Sequence, residues 1–141
     1  MDERTPLAAE QETLREVYAA LDRNDIPAAV HRLDPQIEWI EPTEYPLGGT
    51  FRGHAELQAH LSAARDTWAD GTCEPERFIV VGDRIIVFLR VHVRLKRDTE
   101  WIDGEIADVY TFRNGKAIQM RHFGERKDAL AWVGIEDPEL D

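Results

Sequence analysis

Cysteine is almost absent from this chain of 141 residues: Cys73 stands alone. No intrachain disulfide can form and no cysteine-based metal motif exists, so the residue reads as a structural thiol. Basic charge is also short, with 17 Lys and Arg against 28 Asp and Glu and a net charge of −11. Nucleic acid and anionic membrane surfaces both need a basic footprint, so neither is expected as a partner. Nothing approaches the roughly 20 consecutive apolar residues that cross a bilayer, and the first residues do not resemble a signal peptide. A cytoplasmic location is expected. Repeats, low-complexity runs and interdomain linkers are lacking too, which predicts one domain over residues 1–141 with an ordered core of about 5–133. The histidines show no metal-ligand spacing, and no metal or organic cofactor is expected.

What is present is an apolar fraction of 43 % with four tryptophans, enough for a packed core. Thr5 as N-cap and Pro6 as first helical residue open a helix whose stripe is Leu7, Leu14, Val17, Tyr18 and Leu21. Asp25 caps a second, shorter helix that stops at Asp34-Pro35. Gln36 to Glu41 reads as a strand with Ile37, Trp39 and Glu41 on one face, and Thr43 to Gly53 as a loop rich in turn formers. A third helix is expected from about His54 to Trp68, ended by Asp70-Gly71. From Cys73 onward the pattern is β: a strand to Val81, a turn at Gly82-Asp83, and a long strand from Arg84 to Arg97. Its Val87, Leu89, Val91, Val93 and Leu95 share one face; Arg90, His92 and Arg94 share the other. Lys127 to Val133 reads as a short final helix. This order predicts an α+β domain: a curved, cone-shaped antiparallel sheet packed against three N-terminal helices, with a cavity between them.

The stretch Trp101 to Arg126, WIDGEIADVYTFRNGKAIQMRHFGER, carries the most unusual residue. Asn114-Gly115 marks a hairpin. On the strand before it Ile106, Asp108, Tyr110 and Phe112 fall on one face, so a carboxylate interrupts an apolar and aromatic row. Two registers compete. A two-residue type I′ turn pairs Arg113 with Lys116 and sets Asp108 opposite Arg121. A type I turn with a glycine bulge at Gly115 pairs Phe112 with Lys116 and sets Asp108 opposite Met120. It also brings Ile118, Met120 and His122 onto the face of Asp108. The buried face decides register, and the apolar pair Ile118 and Met120 favours the bulged form. His122 is then the nearest titratable neighbour of Asp108.

The segments IEWIEPTEYPLGGTFRGHAEL, DVYTFRNGKAI and MRHFGERKDA, in this order, resemble the nuclear transport factor two-like superfamily. Within it they resemble the SnoaL-like and ketosteroid isomerase-like branch, over roughly Leu7 to Asp128. The resemblance implies that Glu41, before Pro42, occupies the place of the isomerases' proton-shuttling carboxylate. It puts Asp108 where they keep a protonated aspartic acid that donates to an oxyanion. Their first-helix tyrosine falls, by spacing to Asp25, on Val17, with Tyr18 one residue round the helix. Polyketide cyclases of the branch use an aspartate and a histidine on the sheet, which implies Asp108 with His122 as a second candidate pair.

The catalytic candidates are therefore Glu41, Asp108 and His122. The ligand-pocket candidates are Val17, Tyr18, Trp39, Tyr110, Phe112 and Met120, and Glu41 and Asp108 are expected to open into one cavity. The reading is a cofactor-independent isomerase or cyclase acting on a hydrophobic carbonyl compound. Glu41 would move a proton, and Asp108 or His122 would stabilise the developing enolate. The alternative is a non-catalytic ligand-binding or dimerisation module of the same fold. A homodimer is expected, paired through the outer sheet face that carries Arg90, His92 and Arg94.

Overall fold

A computed structural model describes residues 6–137; the expected Thr5 cap lies outside the described residues, and Pro6 is not the first helical residue, since Leu7 takes the N-cap position. Helix α1 spans Ala8–Asp22, with Leu14, Val17 and Tyr18 buried at the helical spacing of one face. Helix α2, Ile26–His31, begins where the Asp25 side chain accepts from the Ala28 N–H at 3.3 Å. Strand β1, Glu38–Glu41, is followed by β2, Gly49–Arg52, inside the segment expected to be all loop. A four-residue strand paired only with β1 carries too little alternation to be read from sequence.

Helix α3 is Gly53–Asp66, and Trp68, expected on that helix, instead opens strand β3, Trp68–Val81. The strand runs straight through the Asp70-Gly71 pair that had the look of a helix stop. Gly71 sits at φ 124°, and a Cβ there would lie 2.2 Å from the carbonyl oxygen of His92. The glycine serves a close approach to the neighbouring strand beside a register shift, not a turn. Strands β4 (Arg84–Leu95), β5 (Ile102–Arg113) and β6 (Lys116–Phe123) follow, and helix α4 (Arg126–Val133) comes last.

The six strands form one curved sheet in the order β2-β1-β6-β5-β4-β3. Every pair is antiparallel except β1 with β6, which is parallel. That exception departs from the expected all-antiparallel sheet; β1 reaches β6 from far away in sequence, so no hairpin imposes the direction. Helices α1 to α3 cover one face, where Leu14 and Val17 of α1, Leu57 of α3, Val87 and Leu89 of β4 and Met120 of β6 form the main core. A smaller cluster lies on the other face, where Ala129 of α4 meets Ile86, Phe88, Ala107 and Val109. Trp132 of α4 takes the guanidinium groups of Arg84 and Arg121 at 4.7 and 4.9 Å from its ring centre, which ties the helix down.

Neither expected register survives intact at the last hairpin. Asn114 and Gly115 both have positive φ, 54° and 81°, and the turn pairs Arg113 with Lys116 and Phe112 with Ala117. Ile118 is then skipped, so that Thr111 pairs with Gln119 and Asp108 faces His122 rather than Arg121 or Met120. Burial explains the bulge. An unbroken ladder would turn Gln119 and Arg121 into the core. Skipping Ile118 switches the parity, and Ala117 and Met120, both fully buried, share the core side with Phe112 and Tyr110.

Candidate active site

Glu41 ends β1 because Pro42 follows and cannot donate to a sheet ladder. Trp39, two residues earlier on the same face, donates its indole N–H to Glu41 Oε2 at 2.8 Å. His60 Nε2 lies 2.8 Å from the same oxygen, and its ring stacks on Phe51 of β2 with centroids 3.8 Å apart. Both bonds use Oε2, which leaves Oε1 outside this clamp. Burial raises the Glu41 pKa, but the hydrogen bonds from His60 and Trp39 and the charges of His60 and His122 outweigh it, and the group sits below the ordinary glutamate value.

Asp108 lies deeper, 5 % exposed, with both carboxyl oxygens occupied. Tyr18 Oη donates to Oδ2 at 2.5 Å, and His122 Nδ1 is 2.7 Å from Oδ1. The Tyr110 hydroxyl stands 2.8 Å from that of Tyr18 and closes the buried chain. Burial, then the charge of Asp108, push the phenols of Tyr18 and Tyr110 well above the usual value, so Tyr18 keeps its proton and donates it. Burial pulls His122 down, but its bond to Asp108 and the charges of Asp108 and Glu41 win, leaving it above the ordinary histidine value. Since a carboxylate only accepts, Nδ1 carries the proton and Nε2 is the nitrogen left for a ligand.

Two carboxylate–histidine pairs result, and Tyr45 stands between them. Its ring meets that of His122 edge to face with centroids 5.6 Å apart. It also lines two cavities. One, of about 620 Å³, is lined by Glu41, Tyr45, Pro46, Leu47, Thr67, Leu95, Lys96 and Arg97. The other, of about 440 Å³, has His122, Tyr45, Glu44 and Arg121 on its wall. Asp108 reaches neither except through His122, which differs from the single shared cavity expected from sequence.

Of the expected pocket residues, Val17, Trp39, Tyr110, Phe112 and Met120 are at most 5 % exposed and pack into the main core, so they do not line the open cavities. Large side chains fill the space between sheet and helices, and the two cavities lie outside that core. The first-helix tyrosine position also shifts. Spacing to Asp25 puts Val17 there, yet Val17 is core and the adjacent Tyr18 delivers its hydroxyl to Asp108.

His60 and Tyr45 were not among the expected site residues. His60 had a signal, since Leu57, His60, Leu61 and Ala64 share one helical face and His60 is the polar member. Tyr45 had none, because a loop residue shows no period. Among the described residues no group of three or more His, Cys, Asp or Glu side chains converges as a metal site would. No helix among them is long and apolar enough to cross a membrane.

The SnoaL-like domain family matches residues 14–120. No curated protein matches the chain in sequence. Among solved structures, an NTF2-like protein of unknown function from Burkholderia pseudomallei K96243 is 27 % identical with a TM-score of 0.75, the match covering 90 % of this chain and 98 % of that one. TerC, co-crystallised with polyporic acid, is also 27 % identical with a TM-score of 0.74, over 89 % of this chain and 98 % of its own. A putative SnoaL-like polyketide cyclase from Jannaschia sp. CCS1 shares the fold at 14 % identity and a TM-score of 0.73, over 97 % of this chain and all 100 % of its own.

Proposed function

The chain belongs to the SnoaL-like domain family, and from that premise we propose that it is a cytoplasmic acid–base enzyme acting on a hydrophobic carbonyl compound. The observation that carries this reading is the presence of two carboxylate–histidine pairs on either side of Tyr45. Glu41 is the base: its Oε2 is held by Trp39 and His60, and Oε1 takes a proton from carbon next to the carbonyl. A ligand that reaches past Tyr45 from the cavity of Glu41 toward that of His122 puts the oxygen of the resulting enolate where Nε2–H of the His122 imidazolium donates to it. Asp108 acts through His122, accepting from Nδ1–H and balancing the imidazolium charge that lets Nε2 donate, with Tyr18 and Tyr110 fixing Asp108 in turn. Return of the proton from Glu41 to another carbon completes an isomerisation; attack of the enolate on a second carbonyl would complete a cyclisation. Both need only groups this chain supplies.

Proton abstraction is testable without the natural substrate. In D₂O an aryl ketone such as 1-tetralone should exchange its α-hydrogens faster with the protein than in buffer, as read by ¹H NMR. Glu41→Gln should reduce the excess by about 10²-fold or more. A panel of aryl and alicyclic ketones that shows no excess exchange would overturn the catalytic reading.

One observation favours a second reading, a non-catalytic ligand-binding or dimerisation module. The cone interior is occupied by Trp39, Tyr110, Phe112 and Met120, none of which lines the cavity beside Glu41 or the one beside His122. Pairing into a homodimer is part of either reading. Trp101 and Ile102 are both 44 % exposed on the hairpin beside the outer sheet face, and the Trp101 ring stacks on His92. Sedimentation velocity should show a dimer at micromolar concentration; a strict monomer would remove this part of the proposal.

A further inference from the structure

The two cavities that share Tyr45 differ in charge. The smaller carries Glu44, Glu125 and Asp128 against Arg121 and His122. The larger carries Lys96 and Arg97 against Glu41 alone, in a chain whose acids outnumber its Lys and Arg by 28 to 17. The rest of the larger cavity is mainly apolar, with Tyr45, Pro46, Leu47 and Leu95 on its wall. Tyr45 and Leu47 are both more than a third exposed, so the cavity mouth leaves apolar surface uncovered.

We propose that the cavity beside Glu41 takes an apolar ring compound bearing an anionic group, with the anion held at the rim by Lys96 and Arg97. The proposal rests on reading this cavity as the ligand site of the function proposed above, and it names the substrate class. The main chain sets the position of the rim: the Lys96 N–H donates to the Thr67 carbonyl at 2.8 Å, closing the end of β4 onto the end of α3. The present partners of the two cations are weak competitors. Lys96 meets Asp66 at 3.1 Å and Arg97 meets Asp98 at 3.9 Å, and all four side chains are largely exposed. Pairs of that kind contribute little, so both cations can turn to a ligand. Glu41 repels the charged end, which orients the ligand with its apolar body toward the base.

A matched pair of fluorescent probes isolates the charge. 1-Anilinonaphthalene-8-sulfonate and N-phenyl-1-naphthylamine share their rings, and only the first carries a sulfonate. At low ionic strength the sulfonate should bind about tenfold more tightly, with the advantage shrinking as salt is added. Lys96→Gln combined with Arg97→Gln should abolish the advantage and leave the neutral probe unchanged. Leu47→Gln should weaken both probes alike, placing them in this cavity, and Glu41→Gln should not weaken the sulfonate. Equal affinities, binding of neither probe, or a sulfonate advantage that survives the double substitution would overturn the proposal. Charge preference without ketone exchange would leave the anion site standing and remove the catalytic reading; exchange without charge preference would do the reverse.

Discussion

Tyr18→Phe removes one oxygen from the centre of the buried network and leaves the ring in place. That oxygen donates to Asp108 Oδ2 at 2.5 Å and lies 2.8 Å from the Tyr110 hydroxyl. A hydrogen bond to a charged group is worth about 1.5–3 kcal/mol and a neutral one about 1 kcal/mol. The carboxyl is 5 % exposed, so water has little access to replace the lost donor. The expected loss is therefore about 2–4 kcal/mol. At roughly 3 °C per kcal/mol for a chain of this size, Tm should fall by about 6–12 °C. Urea denaturation at pH 7 reads the loss directly, and an unchanged m-value confirms that the two-state comparison holds. Tyr110→Phe serves as the control and should cost less, since its hydroxyl bonds to Tyr18 and not to the carboxylate. The cycle with Asp108→Asn should show a coupling of at least about 1 kcal/mol. A loss under about 0.5 kcal/mol with no coupling would mean that Tyr18 does not serve Asp108, and the positioning chain to His122 would have to be abandoned.

His60→Leu should raise the Glu41 pKa, followed by carboxyl ¹³C NMR, because burial then acts with one hydrogen bond fewer to oppose it; His60→Gln, which still donates, should restore much of the shift, and equal titrations in all three proteins would contradict the clamp. The Glu41 value lies below its unfolded value, so its stabilisation is present above about pH 4.5 and lost as pH falls through the folded value. His122 has the opposite sign: its raised value stabilises below about pH 6.5 and that contribution is lost as pH rises through the folded value. His122→Gln should flatten this alkaline limb, and an NMR titration of His122 below 6.5 would contradict its pairing with Asp108. Asp22, which accepts from the Cys73 N–H at 2.9 Å, is raised from 3.8 to about 6, chiefly by burial. Its stability contribution is full below pH 3.8 and lost as pH rises through about 6. The two-unit shift sets a ceiling of about 3 kcal/mol, and partial solvent access reduces it to about 1 kcal/mol. Asp22→Asn should thus stabilise by about 1 kcal/mol at pH 7.5 and by almost nothing at pH 3.5 in urea titrations; equal gains at both would show that charge is not the cause.

Local rules on this chain worked where a residue answers to its own neighbours in sequence. The Asp25 cap, the α1 stripe and the alternation of Val87, Leu89 and Val93 against Arg90 and His92 all depend on spacing that a linear reading can see. The anomaly of Asp108 in an apolar row was legible for the same reason, and so was the presence of His122 on its side of the sheet. What spacing could not supply was the competition between turn and core at Asn114-Gly115. The turn prefers two residues of positive φ, the core demands Met120 inside, and only packing resolves the conflict, by skipping Ile118. Gly71 shows the same limit: Asp-Gly suits a helix stop locally, yet the approach of His92 from another strand is what requires the glycine. Tyr18, His60 and Tyr45 complete the case. Each acts on a group between 19 and 90 residues away, through a bond or ring contact that exists only once the helices and the loop after β1 are seated on the sheet. Which side chains of α1 and β4 point inward was written in the periodicity of the chain. Which of them touch, and which are left at the mouth to meet a ligand, depended on the volume available inside the cone, a property of the packed whole.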